Sequence, residues 1–171
     1  GDLDLVFGSP ASRRRFLDRM LFQAEPSYAP WHRDYRRAVG SRNELLRRGA
    51  SRGELRAFDG VLASLAARMG QVRSRLVEML DEATAEALAE LDLVPFSVSL
   101  KAKVVGEESA FREALESRLD RDRALGRTSV GPHTDDVLLS RQEGRAREVA
   151  SRGEARSLTV ALRLAERHVV T

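Results

Sequence analysis

Ser151-Arg152-Gly153-Glu154 is the segment of this chain whose residue types and spacing best suit chemistry. Ser and Glu three residues apart form a capping box, in which the hydroxyl and the carboxylate each accept one N–H of a helix's first turn. Ala150 precedes the box. Ala155-Arg156 and then Leu158, Val160, Leu162 and Leu164 follow it, so a small-residue turn opens directly into an apolar helix. Such an N-terminus offers unpaired amides and the positive end of the helix dipole, which together receive a phosphate. Capping accounts for Ser151 and Glu154 but not for Gly153, which costs up to about 1 kcal/mol relative to Ala inside a helix. A glycine there suits close approach of another molecule to the backbone.

Other blocks are chemically weaker. Gly131-Pro132-His133-Thr134-Asp135-Asp136 sets a histidine beside two acids. No serine or cysteine nucleophile is tied to it, so a turn with Pro fixing φ and Asp satisfying amides is the better reading. Arg13, Arg14, Arg15 and Arg19 span most of a helix circumference, and Arg36, Arg37, Arg42, Arg47 and Arg48 add a second basic helix surface. Of these, Arg13, Arg14, Arg15, Arg36, Arg37 and Arg42 are the DNA-contact candidates, because phosphate contacts need no base reading. An ordinary solvated face is the competing reading. Tyr28, Trp31 and Tyr35 have the residue types of a base-stacking platform, but their helical spacing favours the core. The pattern GxxxxGK[ST] of a phosphate-binding P-loop is missing, since Lys101 and Lys103 are the only lysines. No apolar strand runs into an acidic pair either: Asp135-Asp136 precedes Val137-Leu138-Leu139. No catalytic residue and no metal site are assigned, as His32, His133 and His168 lack ligand spacing.

Composition bounds the rest. The 171 residues fit one domain or slightly more. With 42% hydrophobic and 32% charged residues the chain can bury a core and remain soluble, and it has no cysteine, which suits a reducing cytoplasm. No apolar run reaches the ~20 residues of a membrane span. The net charge of +3 is uneven: residues 1–60 hold 12 Arg against 8 acids, whereas 61–126 hold 9 Lys and Arg against 12 acids. The first third is therefore the better polyanion surface.

The elements that must position these residues follow from periodicity. Ser9 as N-cap and Pro10 at N1 start a helix that Phe16, Leu17, Met20 and Leu21 carry to about Phe22. Tyr28, Trp31, Tyr35, Val39 and Leu46 mark a second helix, and residues 49–53 break it. Phe58, Leu62, Leu65, Met69, Val72, Leu76, Met79 and Ala83 form a heptad-like seam on a third helix, expected to pair antiparallel with the second. The period then falls to two: Phe96, Val98, Leu100, Ala102 and Val104 share one face of a strand. Phe111, Leu115 and Leu119 return to helical spacing. Val137–Leu139 and Arg147–Val149 read as short strands around a turn at Gly144, and the last helix spans about Glu154 to His168. No internal repeat is read. The fold class expected is mainly α with a small β component (α+β).

In this order, the arginine-rich segment from Gly8 to Arg19, the Gly131–Asp136 block and the Ser151–Glu154 box resemble the RecF family of bacterial DNA-repair ATPases, of the ABC/SMC-like class. The resemblance covers nearly the whole chain, and it makes the chain an internal fragment lacking Walker A and Walker B. It implies a helical lid or arm of antiparallel helices over 1–127, with one strand near 95–105. It also implies a part of the ATPase head over 128–171. Ser151, Arg152, Gly153 and Glu154 would match the ABC signature motif, which meets ATP held in trans by the other subunit. Arg152 stands for the first glycine of the transporter signature, and Thr134 stands where the family has Arg in GPHRDD, so a contact of that Arg is not carried over. The implied cofactor is ATP with Mg²⁺ in a full-length protein, with none bound by the fragment, which is expected to lack ATPase activity alone. The implied partners are DNA at single-strand/double-strand junctions, a RecF-like homodimer with ATP and a RecR-like protein, without a membrane. The implied setting is cytoplasmic DNA repair, replication and recombination, including the SOS response. A helical protein-interaction module without a nucleotide role is the alternative.

Overall fold

The computed structural model describes residues 2–170, so Gly1 and Thr171 lie outside the described residues. Two compact units share the chain. One comprises 1–26, 73–101 and 135–171; the other comprises 27–72 and 102–134. The chain thus crosses between units four times rather than dividing once near residue 127.

The first unit holds helices α1 (Pro10–Ala24) and α7 (Arg152–Val170) and the second half of α3 (Arg52–Glu90). It also holds strands β1 (Ser97–Lys101), β2 (Asp136–Arg141) and β3 (Gly144–Arg145). The strands form an antiparallel sheet in the order β1-β2-β3. Val98 lies opposite Leu139 and Leu100 opposite Val137, so the register brings apolar residues of both strands onto one face. Phe16, Leu17, Met20 and Leu21 of α1 and Leu158, Ala161 and Leu162 of α7 are buried with Val98, Val137 and Leu139. Asp81 of α3 accepts the amide N–H of Val98 and so ties the helix to the sheet.

The second unit contains α2 (Tyr28–Arg47), the first half of α3, α4 (Glu108–Ser117) and α5 (Leu119–Leu125). Arg42 bonds Asp59, and Arg68 lies 5.8 Å over the Trp31 ring. These pairs, high with low and low with high, show that α2 and the start of α3 run antiparallel as expected. Tyr28, Tyr35, Leu46, Leu55, Leu62, Phe111 and Leu115 are buried here.

Three local expectations change. Residues 146–149 form a single helical turn, α6 (Ala146–Val149), instead of a strand, because β3 ends at Arg145 after only two residues. Met79 is 43% exposed. The buried stripe of α3 combines the row Leu62, Met69, Leu76 and Ala83 with the row Ala66, Arg73, Leu80 and Ala87. The expected row Phe58, Leu65, Val72 and Met79 runs from half-buried to exposed. A straight helix drifts by about 20° per heptad, which carries that row away from the core over three heptads. Finally, the sequence Ala-Ser-Arg-Gly-Glu-x-Arg occurs twice, at 50–56 and at 150–156.

Candidate functional site

The box at residues 151–154 caps α7 as its residue types require. The amide N–H of Ser151 donates to Glu154 Oε2 at 2.7 Å, and the Glu154 N–H donates to Ser151 Oγ at 3.2 Å. Arg141, at the end of β2, donates from Nη1 to Glu154 Oε1 at 2.7 Å. The Ser151 amide, the Ser151 hydroxyl and then Arg141 stabilise the carboxylate and hold its pKa down at about 2. Ser151, Arg152 and Gly153 are exposed. With the third amide taken by Ser151 Oγ, helix geometry leaves the Arg152 and Gly153 amides without an intrahelical acceptor. A Cβ added at Gly153 would meet nothing nearer than Ser151 Oγ at 3.9 Å. The fold itself therefore gives no steric reason for glycine at 153. Open backbone, two outward amides, the dipole and Arg152 suit one oxygen-rich anion such as a phosphate.

The second copy of the motif has nearly the same internal geometry. Ser51 caps α3, its N–H donates to Glu54 Oε2 at 2.9 Å, and Glu54 N–H donates to Ser51 Oγ at 3.3 Å. A Cβ at Gly53 would likewise meet only Ser51 Oγ at 3.9 Å. Glu54 Oε1 is taken by Arg48, an exposed residue of the preceding turn. The tetrapeptide and its cap thus do not by themselves separate the two termini.

The Gly131–Asp136 block is structural along its whole length. Gly131 has φ +112°, and a Cβ there would fall 2.3 Å from the Tyr35 hydroxyl. Tyr35 Oη lies 2.8 Å from His133 Nδ1, and His133 Nε2 lies 3.0 Å from the Thr128 carbonyl. Since a carbonyl only accepts, Nε2 carries the proton and, in the neutral ring, Nδ1 accepts from Tyr35. Thr134 closes the turn by donating from Oγ1 to the Gly131 carbonyl. In the first unit, Asp136 receives Arg13 through two bonds, Nε–Oδ1 at 2.8 Å and Nη2–Oδ2 at 2.9 Å. Arg14 donates to the Asp135 carbonyl at 2.7 Å. Arg73 bonds Asp18 at 2.7 Å and lies 3.3 Å from Asp135. Burial pushes the Asp135 carboxyl up to about 6, outweighing the opposing pull of Arg73 and Arg14.

This arrangement corrects two of the arginine assignments. Arg13 is buried, and its remaining donor serves the Gly8 carbonyl. Arg42 is wholly buried between Asp59 at 2.8 Å, Asp122 at 2.7 Å and Thr128 at 3.1 Å. A desolvated guanidinium held by protein acceptors offers no surface to DNA. Arg14 is half-buried, while Arg15, Arg36 and Arg37 are exposed. Sequence reasoning missed Arg73, Asp122 and Arg141, since an isolated charged residue gives no periodic signal of burial. Tyr35, placed in the core by spacing, is buried. Among the described residues no group of His, Cys, Asp or Glu is arranged to hold a metal ion, and no helix is long and apolar enough to cross a membrane.

Comparison with known proteins gives a consistent result. The chain is 40% identical over 96% of its length to the DNA replication and repair protein RecF of Anaeromyxobacter sp. (strain Fw109-5). It is 36% identical over 96% to the protein of that name from Myxococcus xanthus (strain DK1622). It covers 47% of each relative, and so spans about half the length of the curated relatives it matches. Among solved structures, it resembles the recombination mediator protein RecF-ATPrS in the RecFOR pathway, with TM-score 0.88 and 26% identity over 99% of this chain and 49% of that one. The structure of RecF-ATP in the same pathway matches with TM-score 0.83 and 27% identity. No protein-family model matches the chain.

Proposed function

The chain belongs to the RecF family, and we propose that it supplies the signature-motif helix and helical arm of an ATP-dependent recombination mediator acting at single-strand gaps in DNA. In this reading α7 is the signature helix. Ser151, with the Arg152 and Gly153 amides, meets the γ-phosphate of ATP held with Mg²⁺ on the other subunit of a homodimer. The unit built from 27–72 and 102–134 is the arm, and the unit carrying α7 belongs to the ATPase head. Exposed Arg15, Arg36 and Arg37 are the remaining candidates for DNA phosphates, and a RecR-like protein is the further partner. The setting is the cytoplasm.

The observation that carries the reading is Gly153. The fold leaves open space in front of its backbone, at a helix N-terminus within a chain that resembles nucleotide-bound RecF over nearly its whole length. Bound ATP would contribute the anionic phosphate that joins two subunits. The chain's own part is to present preorganised donors to it at no reorganisation cost. The repeat at residues 51–54 favours one competing reading, in which the box is only a cap. Ser151→Arg in the full-length protein separates the two. A trans contact predicts loss of ATP-driven dimerisation with ATP affinity of the monomer within about twofold, whereas a simple cap predicts that dimerisation persists.

A further inference from the structure

The two copies of Ala-Ser-Arg-Gly-Glu-x-Arg are an internal control, because they share sequence and cap but not anchorage. Glu54 is held by Arg48, and both side chains are about half exposed, at 59% and 48%. Exposed pairs of this kind fix orientation poorly. Glu154 is held by Arg141, whose side chain is 20% exposed against 28% for the glutamate. Arg141 lies on β2, opposite Gly144 of β3, and its guanidinium sits 5.8 Å over the ring of buried Phe96. Its Nε also lies 2.9 Å from Glu143 Oε2, out of hydrogen-bond alignment. The guanidinium is therefore restrained by an aromatic face, a strand and one other carboxylate before it reaches Glu154.

We infer that Arg141 is a positioning residue: it fixes the Glu154 carboxylate and, through it, the N-terminus of α7 for an incoming phosphate. This rests on the trans reading of the Ser151 box and adds the residue that makes one copy of the motif competent. The logic is one of preorganisation. Glu154 Oε2 restrains the Ser151 amide while Oε1 takes the strand-borne guanidinium, so the first turn is registered to the sheet. Without Arg141 the cap persists but swings with the local chain, as the cap at Ser51 is free to do. Geometric tolerance at a phosphate site is small.

The test uses the full-length protein with ATP and Mg²⁺, measuring nucleotide affinity and dimerisation separately. Arg141→Ala is expected to weaken ATP-driven dimerisation at least tenfold, with ATP affinity of the monomer within twofold. Arg141→Lys should recover part of the loss, and Arg48→Ala should change nothing. Arg141→Ala combined with Glu154→Gln should be no worse than the poorer single variant, because both act through one contact. Amide exchange at residues 152–154 should quicken in Arg141→Ala while the thermal midpoint barely moves. Dimerisation within twofold of the parent in Arg141→Ala, alongside its loss in Ser151→Arg, would overturn the positioning role and leave the trans reading intact. Parallel loss of monomer ATP affinity would overturn it too, by showing general damage. Normal dimerisation in Ser151→Arg would remove the trans reading and this inference with it.

Discussion

Arg42→Gln should destabilise the protein far more than a change to any exposed arginine. The guanidinium is 0% exposed and bridges α2 to Asp59 of α3 and to Asp122, itself 0% exposed. Removing one partner of a buried pair leaves the other charge uncompensated and costs about 3–5 kcal/mol. Asp122 keeps the Ser129 amide at 3.0 Å, which offsets part of that, so the lower end of the range is expected. At about 2–4 °C per kcal/mol for a chain of this size, the thermal midpoint should fall by roughly 6–12 °C for a cost near 3 kcal/mol. Urea unfolding followed by far-ultraviolet circular dichroism, with Arg36→Gln as an exposed comparator, measures the difference. Arg36→Gln should stay within about 0.5 kcal/mol. Adding Asp122→Asn to Arg42→Gln should recover part of the loss, since the orphaned charge is then gone. A change below about 0.5 kcal/mol in Arg42→Gln would refute the buried network and return Arg42 to the candidates for a phosphate contact.

Two further predictions rest on the Gly131–Asp136 block. Asp135 has a folded pKa near 6 against an ordinary value of 3.8, so the folded chain holds this proton more tightly than the unfolded one. Its contribution must then fall as pH rises from about 4 to above 6. Relative to Asp135→Asn, the parent should gain stability between pH 7 and pH 5 in denaturant titrations, and parallel pH profiles for the two would contradict this. Gly131→Ala should be destabilising, because φ +112° is unfavourable for a side chain and the new Cβ would collide with the Tyr35 hydroxyl at 2.3 Å. A destabilisation of about 1–3 kcal/mol is expected on melting, against about 1 kcal/mol for Tyr35→Phe, which loses the hydroxyl's bond to His133.

What could be read from sequence follows the physics of each signal. The Ser9-Pro10 start of α1 and the capping box at Ser151 depend on local residue types, and both formed; the period-two strand expected over Phe96–Val104 formed over Ser97–Lys101 only. The seam of α3 was half legible. The row from Leu62 to Ala83 is visible as apolar residues, but its true companion contains two alanines and Arg73, which no hydrophobicity pattern selects. Arg13 and Arg42 look like surface charge in the sequence. Their burial depends on Asp136 and Asp122, which lie 123 and 80 residues away. Arg141 was hidden because its contact with Glu154 exists only once the end of β2 is packed beside the start of α7. The recurrence of Ser-Arg-Gly-Glu was overlooked because it spans a few residues rather than a structural repeat, and only the geometry shows how differently the two copies are anchored.

Mixing two defective forms of the full-length protein tests most directly whether Ser151 and Gly153 serve ATP held by the other subunit. One carries Ser151→Arg, and the other carries a disabled nucleotide-holding lysine in the P-loop expected of a full-length member of this family. Neither alone should form ATP-dependent dimers. In a trans arrangement the mixed dimer brings both defects into one composite site and leaves the other whole. The mixture should therefore regain dimers that hold about one ATP per pair, measured by sedimentation with labelled nucleotide. Failure of the mixture to recover any ATP-dependent dimer, with each variant folded as the parent is, would contradict the account and leave Ser151 a helix cap.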